Sequence, residues 1–351
     1  MIEMWRRLRP MMSIGERVRR GLVMLSALMV ASVVAACASS PSNAPAASDG
    51  PPARGGGPVS VLYAGTLVGI LERHLGPAFD KATGYPFQGE GKGTIALANL
   101  IKAKVRQPDV FLSADVAVNK TLQGPANGDY VRWWVPFDAT EMVIAWSPRS
   151  RFAADFQAAK DGKRSFESVL TQPGLRFGRA DPELGPKGYR TMFIFDLDAK
   201  RIGDPTLPRK ILGGPGDSSH VFPEEQMVAR LQAGEFDAGA FYKFEPVEAG
   251  LPYLSLPKEI NLGDVTLATQ YATATYTTKK GTTYTGAPVI YTVTIPSTVR
   301  NPGGAQAFVR YLLGPNGQAM LVAQGLNATE PVVAGDPAAV PPALRPLVKN
   351  R

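Results

Sequence analysis

One unit recurs from residue 59 onward and limits what this chain can become: a short apolar run, a corner of small residues, then a helical pattern. Val59-Ser60-Val61-Leu62-Tyr63 is β-rich and ends at Ala64-Gly65-Thr66, after which Leu67, Ile70, Leu71, Leu75 and Phe79 recur at helical spacing. Pro77 falls inside that helix and is expected to kink or interrupt it. Tyr85 to Gln88 leads into a glycine-rich loop, Gly89-Glu90-Gly91-Lys92-Gly93-Thr94, and a second amphipathic helix runs from Ile95 to about Lys104. Asp109-Val110-Phe111-Leu112 reads as a buried strand with Ser113-Ala114-Asp115 at its carboxyl end. Strand, corner and helix in succession predict an α/β fold with mostly parallel sheets.

The pattern continues. Met142 to Trp146 reads as a long strand crossing between lobes, Leu175 to Gly178 as a strand, and Pro186 to about Lys200 as a helix. Glu224 to Gly234 is helical, and Phe236 to Tyr242 is a strand of small residues. The Thr-rich residues 265–287 suggest a hairpin turning at Lys279-Lys280-Gly281, and Pro288 to Pro296 is the strongest strand. Residues 303–324 read as one or two helices. These elements imply two lobes: 59–140 plus 292–345, and 141–291. Ligands of such folds sit where strand ends and helix N-termini converge.

What precedes residue 59 is of another kind. Arg6, Arg7, Arg9, Arg17, Arg19 and Arg20 lead into an apolar run from Gly21 to Ala36, and the chain's lone cysteine, Cys37, follows Val34-Ala35-Ala36. Basic region, apolar region and small residues in that order make residues 1–36 an export signal. The run is short for a membrane span of about 20 residues. The site resembles a bacterial lipobox, which implies cleavage and acylation of Cys37. Residues 37–58, rich in Pro, Gly, Ser and Ala, are expected to be a flexible tether. The protein should then stand outside the cytoplasm, on a lipid anchor in the cell membrane.

Removing the leader takes away six arginines against Glu3 and Glu16, so the formal charge falls from +8 to +4. The basicity therefore belongs largely to targeting, and no Lys/Arg cluster with interleaved aromatics marks a nucleic-acid surface. With Cys37 acylated, no thiol is left for disulfides, catalysis or metal binding. Only His74 and His220 are available as histidines, and no Gly-x-Ser-x-Gly elbow, His-Glu-x-x-His helix or phosphate loop occurs. A surface lipoprotein hydrolase is the alternative of a different class, and the missing nucleophile and base count against it. No cofactor is called for, and a monomer is expected.

The positive signal lies in the corners Gly65-Thr66, Gly93-Thr94 and Ser113-Ala114-Asp115. Each can offer unsatisfied backbone N–H groups and a hydroxyl at a helix start, a ready anion site, although such threonines are also ordinary caps.

Tyr63-Ala64-Gly65-Thr66-Leu67, Glu90-Gly91-Lys92-Gly93-Thr94 and Asp109 to Asp115 are followed by Gly178-Arg179-Ala180-Asp181-Pro182 and Pro186-Lys187-Gly188-Tyr189-Arg190-Thr191. In that order, with Tyr242-Lys243 and Leu256 to Leu262, they resemble the molybdate/tungstate-binding proteins of ABC importers, particularly the tungstate-binding branch. The resemblance implies a two-lobed type II periplasmic-binding-protein fold: two Rossmann-like α/β lobes joined by crossover strands and closing over an oxyanion. It implies donors at Gly65, Thr66, Gly93, Thr94 and Ser113, main-chain N–H groups at Lys187, Gly188 and Tyr189, and the Tyr242 phenol. Glu224 aligns with a glutamate that bonds the metal centre of the anion, with Glu225 as an alternative register. The companion aspartate of that branch is Gly185 here, with Asp181 or Glu183 as possible substitutes, and Lys92 adds a charge to the cleft. The implied function is that of the solute-binding subunit of an importer, delivering its anion to an ABC permease without covalent chemistry. The same fold serving another small anion, sulfate or phosphate, is the near alternative.

Overall fold

Two sheets organise residues 56–214 and 217–350, the part of the chain that the computed structural model describes. The leader, Cys37 and nearly all of the tether lie outside the described residues. The first sheet begins with β1 (Val59–Ala64), β2 (Phe87–Lys92), β3 (Val110–Ser113) and β4 (Trp133–Thr140). After Glu141 the chain passes directly into the second sheet: β5 (Met142–Trp146), β6 (Phe177–Ala180), β7 (Val221–Phe222), β8 (Ala238–Tyr242) and β9 (Tyr253–Ser255). A separate hairpin, β10 (Thr275–Thr277) with β11 (Thr283–Thr285), precedes the return through β12 (Val289–Thr294), β13 (Asn327–Ala328) and β14 (Ala334–Gly335).

The strand orders are β13-β4-β12-β3-β1-β2, with β14 beside β4, and β7-β6-β8-β5-β9. Both sheets are mixed rather than mostly parallel. β1 runs parallel to β2 and β3, and β6 runs parallel to β7 and β8. β12 is antiparallel to β3 and β4, and β5 is antiparallel to β8 and β9. The strands next to a crossing enter from the opposite end of the sheet, so they cannot follow the βαβ direction of their neighbours.

Two local expectations are corrected. The glycine-rich stretch before Thr94 is strand β2, not a loop. It lies on the sheet edge, and a Cβ at Gly91 would come within 2.6 Å of the Tyr63 ring, so glycine is what lets β2 pair there. The 265–287 region opens with a helical turn, Ala268–Tyr271, and only its second half is the hairpin, with Gly281 at a φ of 82° in the turn. The helix carrying Pro77 is not broken. It widens into a π turn over Leu71–Leu75 just ahead of the proline, whose ring cannot accommodate an α-turn carbonyl beneath it.

The core fills the space between the sheets and their helices. Val61, Phe111, Leu112 and Val293 are fully buried in the first lobe, and Ile144, Ala240 and Phe193 nearly so in the second. Phe111, in β3 between β1 and β12, should be among the costliest to lose. Phe111→Ala is expected to lower the unfolding free energy by about 3–5 kcal/mol in urea titration. A loss below about 1 kcal/mol would mean that this part of the sheet contributes little to the fold.

Candidate functional site

The topology places three corners of the first lobe side by side. Gly65-Thr66 follows β1, Gly93-Thr94 follows β2 and Ser113 ends β3, and these are adjacent parallel strands. In the second lobe, β6 runs parallel to β7 and β8, so the carboxyl ends of these three strands lie together. They carry the loop to Gly185, the turn containing Glu224, and Tyr242. Convergence of the corners, which spacing could not establish, follows from this arrangement.

Contacts join the two sides directly. The Thr66 N–H donates to Glu224 Oε1 at 3.3 Å, and the Ala96 N–H donates to the Leu184 carbonyl at 3.0 Å. Ala96 lies in the first turn of the helix Thr94–Lys102, so Leu184 satisfies one of that helix's orphan donors from the opposite lobe. Gly93 and Gly185 allow the approach. A Cβ at Gly93 would lie 2.3 Å from the Leu184 oxygen, and one at Gly185 would lie 3.0 Å from the Gly93 Cα and 2.6 Å from Glu224 Oε2. A cavity of about 390 Å³ opens at this seam, with Lys92, Gly93, Asp181, Gly185 and Glu224 in its wall.

Glu224 is the acid of this seam whose charge is held at a cost. It is buried, and its Oε2 has no hydrogen-bond partner. Burial pushes its carboxyl up to about 7; the Lys187 ammonium partly opposes this and the Glu245 carboxylate adds to it. Glu225, its neighbour, is only half-buried and lies against Gly65, so Glu224 is the glutamate that faces inward. Thr94 Oγ1 is the second buried polar atom here without a partner. Two unsatisfied acceptors or donors in one seam are costly unless something fills them.

The remaining expected residues divide into two groups. Lys187 is fully buried, but its ammonium is committed to Glu245 Oε1 at 2.7 Å and sits 4.9 Å from the centre of the Phe241 ring. Tyr242 is also fully buried; its N–H donates to Glu245 Oε2, and its phenol oxygen accepts from Arg190 at 2.8 Å. Burial pushes the Tyr242 phenol well up, so it keeps its proton and remains a donor. The Ser113 hydroxyl and the Gly188 N–H, expected as donors to the anion, have partners within the protein, and so does the Tyr189 hydroxyl, for which no role was expected. The Ser113 hydroxyl donates to the Asp115 carbonyl, the Gly188 N–H donates to the Gly185 carbonyl, and the Tyr189 hydroxyl donates to Asp115 Oδ2.

The acids considered as substitutes for an aspartate at Gly185 separate as well. Glu183 turns away from the cleft to accept from the Tyr276 hydroxyl and the Lys279 N–H of the hairpin, whereas Asp181 lines the cavity. Lys92 also lines it, with its ammonium 3.7 Å from Glu90.

Several residues escaped sequence reasoning. Arg190 bridges the lobes by donating to the Ala114 carbonyl, Asp115 Oδ2 and the Tyr242 hydroxyl. Glu245 organises Lys187 and Tyr242. Tyr291 of β12 hydrogen-bonds Thr66 Oγ1 at 2.6 Å. Their signal was slight: a charge on the apolar face of a helix at Arg190, and a polar side chain within the apolar alternation of β12. Among the described residues, no group of three or more His, Cys, Asp or Glu is placed to hold a metal ion.

Comparison with known proteins agrees with this geometry. Residues 59–327 match the model of the bacterial extracellular solute-binding protein family. A Haloferax volcanii protein provisionally named as an ABC transporter molybdenum-binding protein is 33% identical over 236 residues, 67% of this chain and 72% of that one. The molybdate/tungstate-binding protein WtpA of Thermococcus kodakarensis is 26% identical over 357 residues, 94% and 97% of the two chains. Among solved structures, the periplasmic molybdate-binding protein of Azotobacter vinelandii aligns with a TM-score of 0.55 at 17% identity, over 78% of this chain and all of that one. That likeness is one of fold: two α/β lobes of the type II periplasmic-binding-protein architecture.

Proposed function

Because this chain belongs to the bacterial extracellular solute-binding protein family, we propose that it is the membrane-anchored solute-binding subunit of an ABC importer, taking a tetrahedral oxyanion, molybdate or tungstate, between its lobes. The observation that carries the reading is the seam itself. The unpartnered Oε2 of Glu224 and the unpartnered hydroxyl of Thr94 lie buried where Gly93 and Gly185 bring the two lobes together. Neutral dipoles of fixed orientation hold a dianion without a buried unpaired charge. A carboxylate at that seam repels sulfate or phosphate but can bond a molybdenum or tungsten centre, so Glu224 selects by chemistry.

The relatives' names favour the same class of cargo. Gly185 removes the companion aspartate, leaving Asp181 as the further acid in the cavity wall besides Glu224 and Glu225, and Glu224 Oε2 already occupies the space a side chain at 185 would need. Binding proceeds by lobe closure and release to a permease, with no covalent step. Acylation at Cys37 and the tether would keep the cleft near the membrane on its outer side.

The test is thermal unfolding and titration calorimetry of the purified protein with molybdate, tungstate, sulfate and phosphate. Molybdate or tungstate at 100 times its dissociation constant should stabilise the folded state by about 2.7 kcal/mol. If neither shifts the transition, the oxyanion reading fails. A stronger response to phosphate or sulfate would assign the cleft to the alternative cargo.

A further inference from the structure

We infer that the end of the first lobe opposite the cleft is a membrane-contact surface: a basic turn over residues 102–106, joined by Arg300, rests on anionic lipid headgroups and turns the cleft away from the bilayer. The inference rests on the anchor at Cys37 in the reading above, and it adds the pose in which the anchored protein meets its cargo.

β1 runs parallel to β2 and β3, so their amino ends lie together, about 20 Å along β1 from the corners at their carboxyl ends. The helix Thr94–Lys102 starts at one of those corners and ends on the far side. The turn that follows it exposes Lys102, Lys104, Val105 and Arg106. Val105 is 57% exposed, an apolar side chain set among three cations. Its presentation is fixed. The Lys104 N–H donates to the Ile101 carbonyl, the Val105 and Arg106 N–H groups donate to that of Leu100, and Lys104 takes a φ of 56°.

Little negative charge answers these cations. Asp109 is buried and accepts from the N–H groups of Ser60, Arg300 and Asn301, while Asp80 accepts from the Phe87 N–H. Glu90 is paired with Arg106 at 2.6 Å. The Arg300 guanidinium is held by the neutral Gln107, and the hairpin tip of the second lobe brings up Lys280. Partial burial among its neighbours and then the charge of Lys280 push the Lys102 ammonium down. An apolar side chain ringed by uncompensated cations suits the interface of an anionic bilayer. Each Lys or Arg that reaches such a surface strengthens binding about five-fold.

The exit of the tether favours lipid over a protein partner. Gly57 and Pro58 line the same surface depression as Lys104, Arg106 and Arg300. Gly57 stands 20 residues after Cys37, a reach of at most about 70 Å. An acyl anchor on such a lead brings this face, rather than the cleft, to the bilayer at high effective concentration. The same lead is long enough for the fold to lift off and offer its cleft to a permease.

The experiment uses the protein extracted from membranes and reconstituted into vesicles of phosphatidylcholine, alone or mixed with phosphatidylglycerol, after mass spectrometry has read the state of Cys37. Gln88→Cys places a fluorophore on the same exposed face, because an acylated Cys37 leaves no other thiol. Lipids with nitroxide headgroups quench it on contact. The ratio of quenched to free protein should be at least about 10-fold higher with phosphatidylglycerol, and about 0.5 M salt should abolish the difference. Lys104→Glu combined with Arg300→Glu should abolish it at low salt. Equal quenching on both vesicles, or a difference that either salt or the charge reversal leaves untouched, would overturn the assignment. If the double variant does not fold, the salt response of the unmodified protein decides. Protein without an acyl group on Cys37 overturns the anchor reading, and this inference with it; acylated protein indifferent to phosphatidylglycerol overturns this inference alone.

Discussion

Glu224→Gln should stabilise the protein at pH 8 while costing it molybdate and tungstate. Glu224 ionises near pH 7 in the folded chain, because burial outweighs the help it receives from Lys187 and the Thr66 N–H. In the unfolded chain it ionises at its ordinary value of about 4.5. Between these values the folded state holds a proton that the unfolded state has released, so stability falls as pH rises through that window and remains lower above it. The accumulated cost at pH 8 is about 2–4 kcal/mol. Glutamine keeps the shape and the Thr66 contact, and it cannot ionise. The variant and the wild type should therefore unfold alike near pH 4.5, and the variant should gain several degrees in Tm by pH 8. Asp138 and Asp198, which burial pushes to about 8 and about 6, tilt both curves in the same direction, so the difference between the curves isolates Glu224.

The binding half of this prediction has the opposite sign. A charged Glu224 earns its cost only if a metal centre accepts it, so molybdate or tungstate affinity should fall at least 10-fold in Glu224→Gln. Sulfate, which meets only repulsion from that carboxylate, should bind unchanged or more tightly. Equal losses for all anions would show that Glu224 is structural. An unchanged Tm difference across pH would show that its carboxyl is not the buried group described here.

The same contrast explains how much could be read from the chain. Gly65-Thr66 and Gly93-Thr94 were legible because a strand, a small corner and a helical period are local signals, and the sheet needed only to set them side by side. Glu224 was legible through resemblance, but its distinction from Glu225 depends on which way one turn faces. β2 was mistaken for a loop because glycines normally weaken strands; here the Tyr63 ring occupies the space a side chain at Gly91 would need, and Glu72 and Phe87 the space of one at Gly89. Ser113 and Gly188 stood at the right places along the chain, but their donors close local turns onto the Asp115 and Gly185 carbonyls, a choice of partner that spacing does not encode. Tyr291 and Arg190 act across 225 and 76 residues of sequence on Thr66 and Ala114, and partners at such separations leave no local trace.

Gly93→Ala should uncouple folding from closure. The backbone at Gly93, with φ −51° and ψ 130°, suits alanine, so the first lobe has no reason to be destabilised and gains slightly from a stiffer unfolded chain. The obstacle lies in the other lobe. The new Cβ would stand 2.3 Å from the Leu184 oxygen and 2.7 Å from its carbonyl carbon, and these are backbone atoms that no rotamer change can move aside. Contact at a normal distance requires the lobes to part at the seam. That stretches the bond from the Ala96 N–H to Leu184 and draws Glu224 away from Thr66. Overpacking of this kind costs about 1–3 kcal/mol, which converts to a loss of roughly 5- to 150-fold in anion affinity. Thermal unfolding without anion should match the wild type within a few degrees, and small-angle scattering should show no compaction when molybdate is added. A Gly93→Ala protein that closes and binds like the wild type would mean that the seam between Gly93 and Leu184 is not where the lobes meet around their cargo.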